Sequence, residues 1–489
     1  MLHTLPSPGD RVAAYFAALA TTALLVLVAA TGATSGSPST TALFIAGASF
    51  AWAGLVVTGG GLAPREALWL GLGCALVAGV ALTLAPPLLS DDVFRYLWDG
   101  RVTLAGVSPY RYAPDDPHLA PLRDALWRRV NNPEIPTIYP PFAQAVFALC
   151  GALAHTPLPV KALMLAAHLG TVPLVAALAP GAAKARATLV FALCPLALTE
   201  SALAGHVDAV AGLLLAAGVL ALVRSRALVA ALFFLLASAT KLVGLALAPL
   251  VALRDRRAAV LAVLLSLLPL LALSGGREAP GGLGQYARHW RGNEGAFFVV
   301  ERAAAVVVDG VAGLSDSSPT HVRVPALRGV IAALHGTSLD PRAGLNGPKK
   351  SAPDPTDFQR AYVAGLLARA LVLAAVLALA LWLVRRRAEP LLAARVVLLV
   401  ALLFAPQLHP WYLLWLLPLE CAAGGLAGLV WAAAVLVAYA PADRWLVERV
   451  WLEPSGARAA VHGLVWSALA VEACAAALAR PRKVLAAAS

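Results

Sequence analysis

The sequence predicts an all-α polytopic membrane protein: a bundle of transmembrane helices with large external loops that contain interfacial helices. Three observations point there. The chain is 60% hydrophobic and only 13% charged, about half the charged share of a soluble domain. Leu/Ala-rich runs long enough to cross a bilayer recur along most of its 489 residues. Such runs read as helices, not as the alternating segments of an outer-membrane barrel. The formal net charge of +12 collects in short loops between the runs, a mark of membrane topology and not of nucleic-acid binding. The cysteines Cys74, Cys150, Cys194, Cys421 and Cys474 are scattered through apolar segments without CxxC spacing. They read as buried small residues, with no disulfide or zinc framework.

Residues 1–87 hold three spans, near 13–31, 42–59 and 66–87. The first lacks the basic region and cleavage site of a removable signal and reads as an uncleaved span. Residues 88–141 form the first large loop, with charges of both signs and many aromatics between apolar neighbours. Such density cannot lie in hydrocarbon and belongs at the membrane surface. Asp92 to Leu104 suits an interfacial helix, with Ser90 or Asp91 as N-cap and Gly106 and Pro109 ending it.

Residues 142–273 return to apolar runs, near 141–155, 159–179, 186–204, 207–223, 227–239, 242–253 and 258–273. Basic clusters at Arg224/Arg226, Arg254/Arg256/Arg257, Arg385–Arg387 and Arg480/Arg482/Lys483 should face the cytoplasm. The first two clusters stand too close for two full spans between them. That predicts a short helical hairpin, 227–253, with its tip at Ser238–Lys241. Counting from these anchors puts the loops outside, provided that one segment in 141–186 is broken or re-entrant. Residues 274–361 form a second external loop, aromatic and mixed-charge over Gln285–Arg302. From Ser315 to Pro355 it is rich in Gly, Pro, Ser and Asp and reads as a mobile loop. Residues 362–489 close the bundle with spans near 362–384, 390–406, 411–422, 423–440 and 459–479.

Ionisable residues inside apolar runs mark functional candidates. Glu200, His206 and Asp208 fall in TESALAGHVDAVAG, Lys241 interrupts the short hairpin, and Gln407, His409, Trp411 and Tyr412 fall in APQLHPWYLLW. Asp91 and Asp92 could serve chemistry or only cap a helix, and Asp208 could be a structural partner of Lys241. His168 and His462, alone on apolar helices, read as structural. Glu420 and Glu472 stand near span ends and are discounted. The candidates project toward the outer face shared with the two loops. A carboxylate there can deprotonate a hydroxyl, a cation can hold a phosphate leaving group, and an aromatic ring can face a sugar. The sequence has neither a P-loop nor a Rossmann fingerprint, so an external active site would need a lipid-linked donor.

The run Asp92-Val-Phe-Arg-Tyr-Leu-Trp-Asp-Gly100, then Gly106-Val-Ser-Pro-Tyr110 and Ile138-Tyr-Pro-Pro-Phe142, resembles the first external loop of the GT-C glycosyltransferases. It is closest to the bacterial polyprenyl-phosphate-mannose-dependent group that includes the family 87 mannosyltransferases. The motif order continues with Gly205-His-Val-Asp208, Ala239-Thr-Lys241 followed by Pro249, Trp290 with Gly292-Asn-Glu-Gly-Ala-Phe297, and His409-Pro-Trp-Tyr412. The spans near 13–59 and the tract 315–355 fall outside the family's pattern.

The resemblance implies a GT-C type bundle and an inverting transfer of a hexose, mannose first, from a polyprenyl-phosphate donor. The acceptor would be a lipid or glycan hydroxyl on the non-cytoplasmic face of a bacterial-type inner membrane. An acid of the first external loop is the base in that family, and Asp92 matches its position best. Asp91 would support it, or join it in holding a divalent metal if one takes part. Lys241, His289 and Arg95 would bind the donor phosphate. Tyr139, His206, Asp208, Trp290, Asn293, His409, Trp411 and Tyr412 would form the sugar or acceptor pocket. The rival reading is a transporter or lipid flippase, which would place polar residues at the midplane between repeats. Here they concentrate in the external loops, and no inverted repeat is visible.

Overall fold

Proline starts most of the long helices, where its fixed φ suits the first turn and its missing N–H costs nothing. The computed structural model describes residues 8–252, 292–312, 320–334, 356–448 and 456–486, with isolated positions 255, 257, 258, 260, 282, 286, 450, 452 and 454. The first helices are α1 (Pro8–Ser35), α2 (Pro38–Thr58), α3 (Pro64–Leu84), α4 (Asp92–Leu104), α5 (Pro141–Leu153) and α6 (Pro157–Leu178). Next come α7 (Lys184–Ala192), α8 (Pro195–Leu198) with a π-helical turn Thr199–Leu203, α9 (Asp208–Val223), α10 (Ala227–Lys241) and α11 (Ala248–Ala252). The rest are α12 (Phe297–Ala312), α13 (Arg328–Leu334), α14 (Arg360–Arg385), α15 (Pro390–Leu403), α16 (Leu417–Ala423), α17 (Ala427–Ala434), α18 (Ala442–Glu448) and α19 (Ala457–Ala486).

Among the described residues, 6 helices are long and apolar enough to cross a membrane: α1, α2 with its following turn, α3, α6, α14 and α19. The pair 181–192 and 195–203, bent by 48°, makes up to 7. Pro195 lacks the N–H that would continue the helix, which accounts for the break. The chain is thus an all-α polytopic membrane protein. Its one described sheet pairs His321–Arg323 antiparallel with Asp357–Gln359.

That strand pair, with α13, corrects the expectation of an unstructured tract at 320–334. Val322 buries against Val308 and Ala364, a short apolar anchor that the surrounding Gly and Pro conceal. The remainder of the tract (315–319 and 335–355), all of the expected span near 258–273 except positions 258 and 260, Arg254, Arg256, His289 and Trp290 lie outside the described residues.

The crossing count through 141–186 is resolved by α5, which folds back along the first loop instead of crossing. Tyr96 of α4 stacks on Phe147 of α5 with centroids 4.3 Å apart. Gly100 meets the Phe147 carbonyl so closely that an added Cβ would sit 2.4 Å from it, an approach only glycine allows. Lys161, near the start of α6, then donates to Leu82 O at 3.0 Å and also to Ala85 O, at the end of α3. So α6 begins at the loop end of the bundle and runs away from it. Arg186 meets Gly59 of the α2–α3 turn at the opposite end, and the bent pair returns to the loop end at His206. Both ends of α5 thus lie at the loop end of the bundle, and the sharp bend falls later, at Pro195.

Glu420 and Glu472, discounted in the sequence as near span ends, meet at the turn between α16 and α17 and share one cation. Arg395 Nε contacts Glu420 Oε2 and Arg395 Nη2 contacts Glu472 Oε2, both at 2.6 Å. The two carboxylates also accept the N–H groups of Gly428 and of Leu426 and Ala427. The two carboxylates thus share one guanidinium and the positive N-terminal end of α17. His168 and His462 each meet a backbone carbonyl, Ala192 O at 3.0 Å and Asn293 O at 3.1 Å, in keeping with structural roles.

Candidate active site

Asp92 is the first residue of α4, and its side chain does not cap the helix. The cap position belongs to Asp91, which makes no side-chain cap bond, while Ser90 Oγ accepts the Asp92 N–H at 3.2 Å. The Asp92 carboxylate instead turns into a cavity of about 650 Å³ at the loop end of the bundle. Asn131 Nδ2 donates to Asp92 Oδ1 at 2.7 Å and to Asp91 Oδ1 at 2.9 Å, and Tyr139 Oη donates to Asp92 Oδ2 at 3.1 Å. Burial pushes the Asp92 carboxyl up, but His206, Lys241, Asn131 and His409 together draw it below its ordinary value. Asp92 is therefore a carboxylate, able to accept a proton.

The first loop is built to hold this geometry. Asp99, buried beneath it, pairs with Arg95 at 2.9 Å and accepts from Thr137 Oγ1 at 2.5 Å. Gln144 joins the same cluster and donates to Tyr139 O, fixing the tyrosine that reaches Asp92. This revises the expectation for Arg95. Its N–H groups serve Asp99, Ile135 O at 2.8 Å and Asn132 O at 3.4 Å, so it braces the loop instead of waiting for a phosphate. The exposed cation at the cavity rim is Arg129, whose guanidinium lies 3.8 Å over the Phe94 ring.

Lys241 ends α10 and lines the cavity. Leu242, next in the chain, takes a left-handed φ of 58°, a turn that a non-glycine residue adopts at a cost. Lys241 Nζ lies 3.2 Å from Asp208 Oδ2 and 4.9 and 5.7 Å from the Tyr139 and Tyr412 rings. His409, Trp411 and Tyr412 form the facing wall. Trp411 is stacked between His206 (3.9 Å) and His409 (4.2 Å), and Tyr412 stacks on Trp415 (4.5 Å). Asn293 also lines the cavity, and its Nδ2 donates to Leu408 O at 3.4 Å.

Two expected pocket residues are not in the wall. His206 and Asp208 are fully buried and lie behind it, His206 beneath Trp411 and Asp208 beneath Lys241. The larger side chains in front of them take the surface. Glu200, noted in the sequence but given no role, meets His206 there: His206 Nδ1 lies 2.8 Å from Glu200 Oε2, and His206 Nε2 lies 4.0 Å from Asp92 Oδ2. Tyr439 Oη donates to Glu200 Oε1. Asn131, Arg129, Tyr439 and Tyr286, whose hydroxyl is 2.5 Å from that of Tyr412, had no motif to betray them. The spacing of Glu200 and His206 around a glycine was the one available signal.

The acidic pair does not fit a metal. Asp91 and Asp92 share the amide N–H donors of Asn131, and among the described residues no group of three His, Cys, Asp or Glu side chains converges to hold one.

A family profile described as "Alpha-(1->6)-mannopyranosyltransferase, N-terminal domain" (the MptA_B family) matches residues 12–255. No curated protein and no solved structure matches the chain. The matched stretch carries α4, the first loop, Glu200, His206, Asp208 and Lys241, so the cavity's acids and its buried backing all fall within it. The chain belongs to this mannosyltransferase family and is an integral-membrane glycosyltransferase.

Proposed function

We propose that the protein transfers mannose from a polyprenyl-phosphate donor to a hydroxyl of a lipid or glycan acceptor, on the non-cytoplasmic face of a bacterial-type inner membrane. The observation that carries this reading is the Asp92 carboxylate, held by Asn131 and Tyr139 and facing a cavity that also contains Lys241 and Arg129. Asp92 takes the acceptor proton as the hydroxyl oxygen attacks the anomeric carbon. The bond from that carbon to the phosphate oxygen breaks with its electron pair, and the polyprenyl phosphate leaves. Such a leaving group needs charge stabilisation and no acid; Lys241 and Arg129 are the cations at the cavity for it, with His289 as a further candidate from the sequence. The aromatic wall of His409, Trp411 and Tyr412 suits the face of a sugar ring, with Trp290 a further candidate.

A single displacement inverts the anomeric centre. An alpha-linked product, as the family's description has it, then requires a beta-linked donor. The basic turns at Arg224–Arg226 and Arg385–Arg387 lie at the far ends of α10 and α15 from this cavity, which supports an outward-facing site.

The test is to incubate the purified protein with beta- and alpha-linked mannosyl, glucosyl and arabinosyl phosphopolyprenols and a membrane lipid extract. New glycolipid from the beta-mannosyl donor is expected. Turnover of the alpha-linked donor, or of none of them while a nucleotide sugar is used, would overturn the reading.

A further inference from the structure

Behind Asp92 lies a pair of buried groups that this transfer leaves unused. The π-helical turn Thr199–Leu203 and Gly205, at φ +79°, reverse the chain. The His206 N–H then donates to Glu200 O at 2.9 Å, and the two side chains meet. Turns of this kind recur at functional sites. His206 presents one ring nitrogen to each of two acids, Nδ1 to Glu200 and Nε2 to Asp92. His168 and His462 instead meet backbone carbonyls, which satisfy an imidazole without any acid.

We infer that Glu200 and His206 are positioning residues for the transfer: Glu200 holds the imidazole, and His206 holds the Asp92 carboxylate in register with the cavity. This rests on the reading of Asp92 as the base. Electrostatics favour it. Among the described residues, Asp92, Asp208 and Glu200 lie around His206 with Lys241 from α10 against Asp208; Asp91 and Arg129 stand at the cavity rim, and the ring of His409 stacks on the far side of Trp411. The His206 ring, with Nε2 4.0 Å from Asp92 Oδ2, heads the groups that draw the Asp92 carboxyl down. Glu200, buried and accepting from Tyr439 Oη, holds the Nδ1 side of that ring at 2.8 Å. The arrangement orients a functional group through its neighbour, as outer-shell carboxylates do for histidines elsewhere.

The experiment measures kcat against pH in the full-length protein, with a beta-mannosyl phosphopolyprenol as donor and octyl α-mannoside as acceptor. The variants are Glu200→Gln, His206→Gln, Tyr439→Phe and Asp92→Asn. In Glu200→Gln and His206→Gln the donor KM should hold while kcat falls about tenfold or more. The acid limb of kcat should move upward by about one pH unit or more, because the arrangement that draws the Asp92 carboxyl down is disturbed. Tyr439→Phe should move the limb in the same direction by less. A folded Glu200→Gln enzyme whose acid limb stays where the wild type has it overturns the inference, even if kcat drops, since that is packing loss alone. Glu200→Gln decides the matter should His206→Gln not fold. Asp92→Asn separates the two levels: retained turnover there defeats the base, whereas a dead Asp92→Asn with an unmoved Glu200→Gln limb defeats only the positioning pair.

Discussion

Lys241 Nζ lies 3.2 Å from Asp208 Oδ2, and this contact ties the last residue of α10 to the first residue of α9. Asp208 is fully buried, and the Lys241 side chain is 12% exposed, where it lines the cavity. Removing one charge leaves the other without its partner in a low-dielectric setting. Lys241→Met should therefore destabilise the protein by about 3–5 kcal/mol, read as thermal unfolding in detergent. The double variant Lys241→Met/Asp208→Asn should recover much of that stability. It should not recover donor affinity, because a cavity cation is still missing. Recovery of both would make the pair purely structural.

Asp92→Asn should fold normally and lose about 10²–10⁴-fold in transfer rate, since an amide keeps the shape but takes no proton at neutral pH. Asp91→Asn should be milder. The sign of the wild-type pH dependence follows from the depressed Asp92 carboxyl. Its ionised form persists below the ordinary carboxylate range, so turnover should stay level from neutral pH downward and fall only when the acid enters its lowered folded-state range. The stability that the ionised form contributes is present above the unfolded value and lost across that same fall. Turnover of Asp92→Asn near the wild-type rate would move the base elsewhere.

The topology can be checked by cysteine labelling in intact cells. Asp116→Cys, in the first loop, should react with an impermeant maleimide from outside. Ser225→Cys, in the turn between α9 and α10 at the basic end, should react only after lysis. The reverse pattern would invert the bundle and put the cavity on the cytoplasmic side.

Arg395 should matter for stability and not for transfer. Arg395→Met leaves Glu420 and Glu472 facing each other without their cation, and a loss of about 3–5 kcal/mol is expected. The folded fraction should keep the wild-type kcat, because the cluster lies apart from the cavity wall. A changed kcat in folded protein would connect this cluster to the site.

The sequence by itself determined the membrane class, because composition and run length act through the solvent and need no partner. It also determined α4, since Ser90, Asp91 and Gly106 punctuate that helix locally. It pointed to Asp92, Lys241, His409, Trp411 and Tyr412 because polar and aromatic residues stand out against apolar neighbours. What only the tertiary structure decided is who meets whom. Hydropathy cannot say whether the short apolar α5 crosses or folds back; the Gly100 contact with Phe147 and the Lys161 contact with α3 decide it. Nothing local tells that Arg95 is consumed by Asp99 while Arg129 reaches the rim, or that Arg395 gathers Glu420 and Glu472. The Glu200–His206–Asp92 row is assembled from a π-helical turn, a glycine reversal and a surface loop. Its members come together only when α4 docks over the ends of α8 and α9, because a distance between side chains on separate elements is set by packing and is written in no single stretch of chain.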